Sequence, residues 1–184
     1  MSSSLIVVIL TSSVVSGLVT FGLNTYKEER TLKRQKLETL YINVSEWIKL
    51  LGLYGLDYGY AMQGKITLDQ VYDMLNKKSD PKNSFENMLM LVGVYFPRLR
   101  GVLTELLSCR ESLTSLVARF ERGYKNGEID GARFLPEFNK VVDHLGGIEK
   151  KFKDEIVREA DFINRPWMRL WPYLRDNKGK RVLL

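Results

Sequence analysis

Two side chains that carry much of enzyme chemistry are nearly missing from this 184-residue chain, which has one cysteine, Cys109, and one histidine, His144. A lone cysteine excludes an intrachain disulfide and fits a reducing compartment. A lone histidine leaves any Ser-His-Asp or Cys-His arrangement to be built around one residue, and no nucleophile motif accompanies it. The sequence also lacks CxxC, HExxH, a glycine loop followed by Lys and Ser or Thr, and a dinucleotide fingerprint. These absences predict a protein that is not an enzyme and has neither a metal nor a cofactor. Cys109 falls on the apolar face of a predicted helix, where it reads as a small buried hydrophobe. His144 is expected to be exposed or held by a structural hydrogen bond.

Charge is missing where it matters most. Leu5 to Leu23 is 19 residues without one charged side chain, and 12 of them are Leu, Ile, Val or Phe. At 1.5 Å per residue the run covers roughly 28 Å, close to the hydrocarbon thickness of a bilayer. Its apolar residues contribute about −4 to −7 kcal/mol to insertion, reduced by seven Ser, Thr and Gly. Residues 5–23 therefore predict a transmembrane helix. A signal peptide is the weaker reading, because Met1 to Ser4 carry no positive side chain and the basic residues follow the run. A core helix is weaker too, since core helices are normally amphipathic.

The +6 net charge is uneven. Residues 24–36 hold five basic and two acidic side chains, and residues 165–184 hold six basic and one acidic, leaving 17 basic against 19 acidic in the remainder. With no positive stripe in the middle, nucleic acid is not the expected partner. Anionic lipid headgroups are, at about 1 kcal/mol per basic residue near the surface. Lys27, Arg30, Lys33 and Arg34 lie just beyond the run, and the positive-inside rule places the N-terminus outside and the rest in the cytoplasm. The segment Arg165 to Arg175 interleaves Trp167 and Trp171 with Arg169 and Arg175, a pairing suited to the membrane interface. The alternative has the two Trp rings capping a protein core while the Arg residues face water. An N-terminal anchor, a Lys-Glu-Glu-Arg start and a helical cytoplasmic part also resemble many short bacterial membrane proteins, which implies the inner membrane.

Within the run, Ser13 and Gly17 form a small-xxx-small pair, flanked by Ser16 and Thr20. Such a face lets helices approach closely in lipid and predicts a homo-oligomer.

Proline and glycine are absent between Leu23 and Leu51, so the anchor is expected to continue as one helix carrying Leu37, Leu40, Tyr41, Val44, Trp47, Ile48 and Leu51 on one face. Gly52, Gly55 and Gly59 then share a helical face open to a neighbouring helix or ligand, or simply loosen the helix end; the second is the expectation, each glycine costing about 1 kcal/mol. Gly64 reads as a stop, and Thr67 with Gln70 as a capping box for a short helix over Leu68, Val71, Tyr72 and Leu75. Asn83 with Glu86 reads as a similar start, and Pro97 as a kink or an opening. Leu99, Val102, Leu106, Cys109, Leu113, Leu116, Val117 and Phe120 form the next face. After a turn at 125–131, Phe138, Val141, Val142, Leu145, Phe152 and Ile156 form the last, with a kink expected at Gly146-Gly147. The Gly-x-Ile steps at Gly64 and Gly127 lack the carboxylates of a calcium loop and read as helix C-caps.

No period-two strand appears. The expected fold is all-α: a tail at 1–4, a single N-terminal transmembrane helix at 5–23, an antiparallel cytoplasmic helical bundle at 24–164 with three or four principal helices, and a basic aromatic tail at 165–184. The expected role is a non-enzymatic interaction, recruitment or sensing module that meets a protein partner at the membrane. The alternative is an oligomerising effector whose assembled anchors permeabilise the bilayer.

Overall fold

The computed structural model describes residues 3–77, 82–127 and 130–165, with residues 3–15 and 82 through their backbone alone. Among the described residues there are five α-helices, two 3-10 turns and no strand. The helices are α1 (Ser3–Met62), α2 (Leu68–Asn76), α3 (Lys82–Val94), α4 (Arg100–Lys125) and α5 (Leu135–Asn164). As expected from the missing Pro and Gly, α1 is one helix of 60 residues. Among the described residues no helix is long and apolar enough to cross a membrane. The side chains of 5–15, more than half of the apolar run, lie outside the described residues.

The chain divides into two units, one reaching up to Lys36 and resuming at Ala160, the other Leu37–Glu159. The second holds a helical bundle whose directions follow from its cross-helix contacts. Between α4 and α5, Arg119 pairs with Glu137 at 2.5 Å and Glu105 with Lys151 at 2.6 Å, so the two run antiparallel. Tyr41 lies near Lys153 and Gly59 near Phe138, which sets α1 antiparallel to α5 as well. Trp47 stacks on Phe85 at 5.3 Å, and the Arg110 guanidinium lies over the same ring at 5.1 Å, so α3 contacts both α1 and α4. The result is an up-down arrangement of α1, α3, α4 and α5.

Its core follows the spacing read from the sequence. Leu37, Leu40, Val44, Trp47 and Ile48 of α1 are buried, as are Val102, Leu106, Cys109, Leu113, Leu116, Val117 and Phe120 of α4. Tyr58, Met62, Val71, Phe120 and Phe138 gather in one cluster that joins α1, α2, α4 and α5. Two assignments fail: Tyr41 and Val142 are exposed. A helix facing a core buries a stripe little wider than 100°, and each sits at the edge of its stripe. Ile148 and Ile163 of α5 are buried instead.

The helix ends are built from local chemistry. Gly64 takes φ +70°, Gly64 N–H donates to Ala61 O and Lys65 N–H to Tyr60 O, the paired bonds of a Schellman end. Thr67 Oγ1 accepts from Gln70 N at 3.3 Å while Gln70 Oε1 accepts from Thr67 N at 2.9 Å, the expected capping box. Gly127 at φ +90° ends α4. Three expectations need correction. Asn83 lies inside the first turn of α3 rather than ahead of it, Pro97 opens a separate 3-10 turn (Pro97–Leu99), and α5 continues unbroken through Gly146 and Gly147. Those two glycines are exposed with open space around them, so neither forces a bend.

The glycine stripe is not a loosened end. A Cβ at Gly59 would stand 2.9 Å from the Phe138 ring, and Gly55 is in ordinary contact range of both Phe138 and Leu113. The face is occupied by α5. Phe138 is itself buried in the core cluster, so its ring yields only by disturbing that packing. The gain in helix propensity, about 1 kcal/mol, offsets part of an overpacking cost of about 1–3 kcal/mol, and Gly59→Ala is expected to lower Tm by a few degrees, read by thermal unfolding.

Candidate functional site

The basic residues beyond the apolar run do more than face solvent. α5 ends at Asn164, and the carbonyl end of a helix carries partial negative charge. Arg30 Nη2 donates to Asn164 O at 2.6 Å, Arg34 Nε donates to Asn164 Oδ1 at 2.7 Å, and Arg34 Nη2 donates to the same oxygen. The two guanidiniums, one helical turn apart, clamp the end of α5. Lys33 pairs with Glu29 at 2.5 Å. Lys27 is exposed, and its carbonyl accepts from the Thr31 hydroxyl at 2.9 Å. Tyr26, Glu29, Arg30, Lys33 and Ile163 line a cavity of about 20 Å³.

Arg165 directly follows the clamped residue, so the predicted basic aromatic tail begins beside residues 30–34. Trp167, Arg169, Trp171 and Arg175 lie outside the described residues, as does the side chain of Ser13. Ser16, Gly17 and Thr20 are exposed, and nothing stands within 4 Å of a Cβ built on Gly17. Asn164 was not singled out from the sequence. It is separated from its partners by 130 and 134 residues, and no local pattern marks it.

A second polar cluster lies in the bundle. The Tyr58 hydroxyl donates to Glu121 Oε1 at 2.5 Å, with Tyr54 hydrogen-bonded to Tyr58 and Tyr72 to Glu121. Burial first, and then the Glu121 carboxylate, hold the Tyr58 proton far above its ordinary range. The folded chain binds that proton more tightly than the unfolded chain. Its contribution is therefore complete below pH 10.0, the ordinary value, and shrinks as pH rises past it. Tyr58→Phe is expected to lower stability at neutral pH and to flatten the alkaline decline, measured by urea unfolding from pH 8 upward to about pH 11.

Cys109 and His144 share a shallow groove of about 220 Å³ with Ser112, Glu137, Lys140 and Val141. Cys109 is buried, its thiol donates to Val141 O at 3.6 Å, and burial pushes its pKa up. A thiol so held is protonated at neutral pH and is a poor nucleophile. His144 is exposed, as expected. Among the described residues no three His, Cys, Asp or Glu side chains gather as a metal site. Comparison with family models, curated proteins and solved structures finds no match for this chain.

Proposed function

We propose that this chain is a membrane-anchored helical interaction module, held by residues 5–23 with its N-terminus outside and its bundle on the cytoplasmic side of a bacterial inner membrane. One observation carries the reading. Leu18, Val19, Phe21 and Leu23 are 67%, 56%, 72% and 56% exposed. At 100° per residue Leu18 and Phe21 lie about 60° apart and Val19 and Leu23 about 40° apart, so the four span about 200° of α1, wider than the stripe of about 100° that a helix lays on a protein core. Each large apolar side chain gains roughly 1.5–3 kcal/mol on leaving water, and lipid is the partner that surrounds a helix completely.

The chemistry supports binding rather than turnover. The Cys109 thiol is buried and protonated, the Tyr58–Glu121 pair is hydrogen-bonded into the fold, and five basic against two acidic side chains follow the apolar run. Association of copies through Ser13, Ser16, Gly17 and Thr20 belongs to the same reading, since the three of these with described side chains are uncovered.

Fractionation of cells expressing the full chain tests it. The chain is expected to stay in the membrane pellet through an alkaline wash. A C-terminal tag is expected to resist protease added to spheroplasts, while an N-terminal tag is cleaved. Release into the wash, or an exposed C-terminal tag, overturns the anchor or its direction respectively.

A further inference from the structure

We infer that Tyr26, Arg30 and Lys33 form a discrete site for the phosphate of one anionic phospholipid headgroup, an inference that rests on the anchor reading above. The three stand at i, i+4 and i+7, which places them on one face of α1. They line the same cavity, closed on one side by Ile163 at the end of α5. Its volume of about 20 Å³ admits one oxygen-sized group. A phenol hydroxyl, a guanidinium and an ammonium are donors without a carbonyl among them, the chemistry that suits a phosphate oxygen.

Arg30 is unusual within the set. Its Nη2 is used by Asn164, while its Nε is buried and donates to nothing among the described residues. The Asn164 clamp meanwhile holds the guanidinium in place, so a ligand finds Arg30 already ordered.

Tyr26 stands at the depth of the headgroups, and the two cations lie beyond it. Counted from Leu23 at 1.5 Å per residue, Tyr26 is roughly 5 Å, Arg30 roughly 10 Å and Lys33 roughly 15 Å past the apolar run. The headgroup layer is about 5–8 Å thick on each side. Helical side chains lean toward the N-terminus, so Arg30 and Lys33 reach back toward that layer. Glu29 also lines the cavity and pairs with Lys33. Glu29 is more than half exposed and Lys33 about a third, and a pair open to solvent to that extent holds weakly enough for Lys33 to exchange it for phosphate.

Native mass spectrometry of the full chain in detergent, titrated with dioleoyl-phosphatidylglycerol, tests the site. The parent is expected to retain one lipid preferentially. Tyr26→Phe and Lys33→Gln are each expected to weaken retention about tenfold, the loss of one hydrogen bond to a charged group. Lys49→Gln, the same charge change at an exposed position farther along α1, is expected to leave retention within about twofold. Equal weakening by Lys49→Gln, unchanged retention by Tyr26→Phe, equal retention of phosphatidylcholine, or displacement by excess inorganic phosphate overturns the proposal. A chain that stays in alkaline-washed membranes but retains no phosphatidylglycerol loses this site alone, whereas a chain released by that wash loses the anchor as well.

Discussion

Leu10→Arg combined with Val14→Arg is expected to move the chain from the membrane pellet to the soluble or aggregated fraction. The twelve large apolar residues of the run contribute about −4 to −7 kcal/mol to insertion, and its seven Ser, Thr and Gly already erode that. Each arginine near the centre costs about 2.5–3.5 kcal/mol and removes an apolar residue besides. Two together cancel the whole driving force. A run of Leu would survive one such change, but this run has little margin, so even Val14→Arg alone is expected to reduce the membrane fraction visibly. Asn24→Arg, just past the run, adds the same charge where headgroups favour it and is expected to leave fractionation unchanged. Retention of the double variant in alkaline-washed membranes would sink the anchor reading.

The largest expected loss of bundle stability comes from one methyl group. Gly131 is buried in the turn before α5, and a Cβ there would stand 2.6 Å from Met62 Cα, 2.8 Å from Met62 O and 2.8 Å from the Phe120 ring. Two of those three atoms are backbone. Met62 is the last residue of α1, one step from the bonds at Gly64 and Lys65 that fix its end, so it yields only by disturbing that end. Phe120 is wholly buried and cannot swing outward. Overpacking of this kind costs about 3 kcal/mol, at the upper end of what inserted methyl groups cost. For a domain of this size that is a fall of roughly 10 °C in Tm, read by circular dichroism. Gly146→Ala is the opposing control. It is exposed mid-helix with nothing near, and alanine there is expected to stabilise by up to about 1 kcal/mol. A Tm for Gly131→Ala equal to that of the parent would show that α1 and the turn do not approach as closely as described.

The two glycines illustrate where a linear reading stops. Gly64 was recognisable because its job is local: a helix ends there, and the atoms it bonds are three to five residues away. Gly131 was not, because its neighbours Met62 and Phe120 come from two other helices. The stripe at Gly55 and Gly59 shows the same division. Spacing placed the glycines on one face, but nothing near them in the chain announced Phe138 as the occupant.

Periodicity, caps and charge are properties of neighbours within about four residues. They settled that the chain is helical, that Thr67 with Gln70 opens α2, that Cys109 faces inward, and that one end carries an uncharged run followed by five basic residues. Only the tertiary structure decided what meets across distance. It closed Arg30 and Arg34 on Asn164, drew the hydroxyl of Tyr58 to Glu121, and left Tyr41 and Val142 outside the core. Those outcomes depend on how helices pack, and packing is set by the whole surface of each helix at once rather than by any residue and its neighbours in sequence.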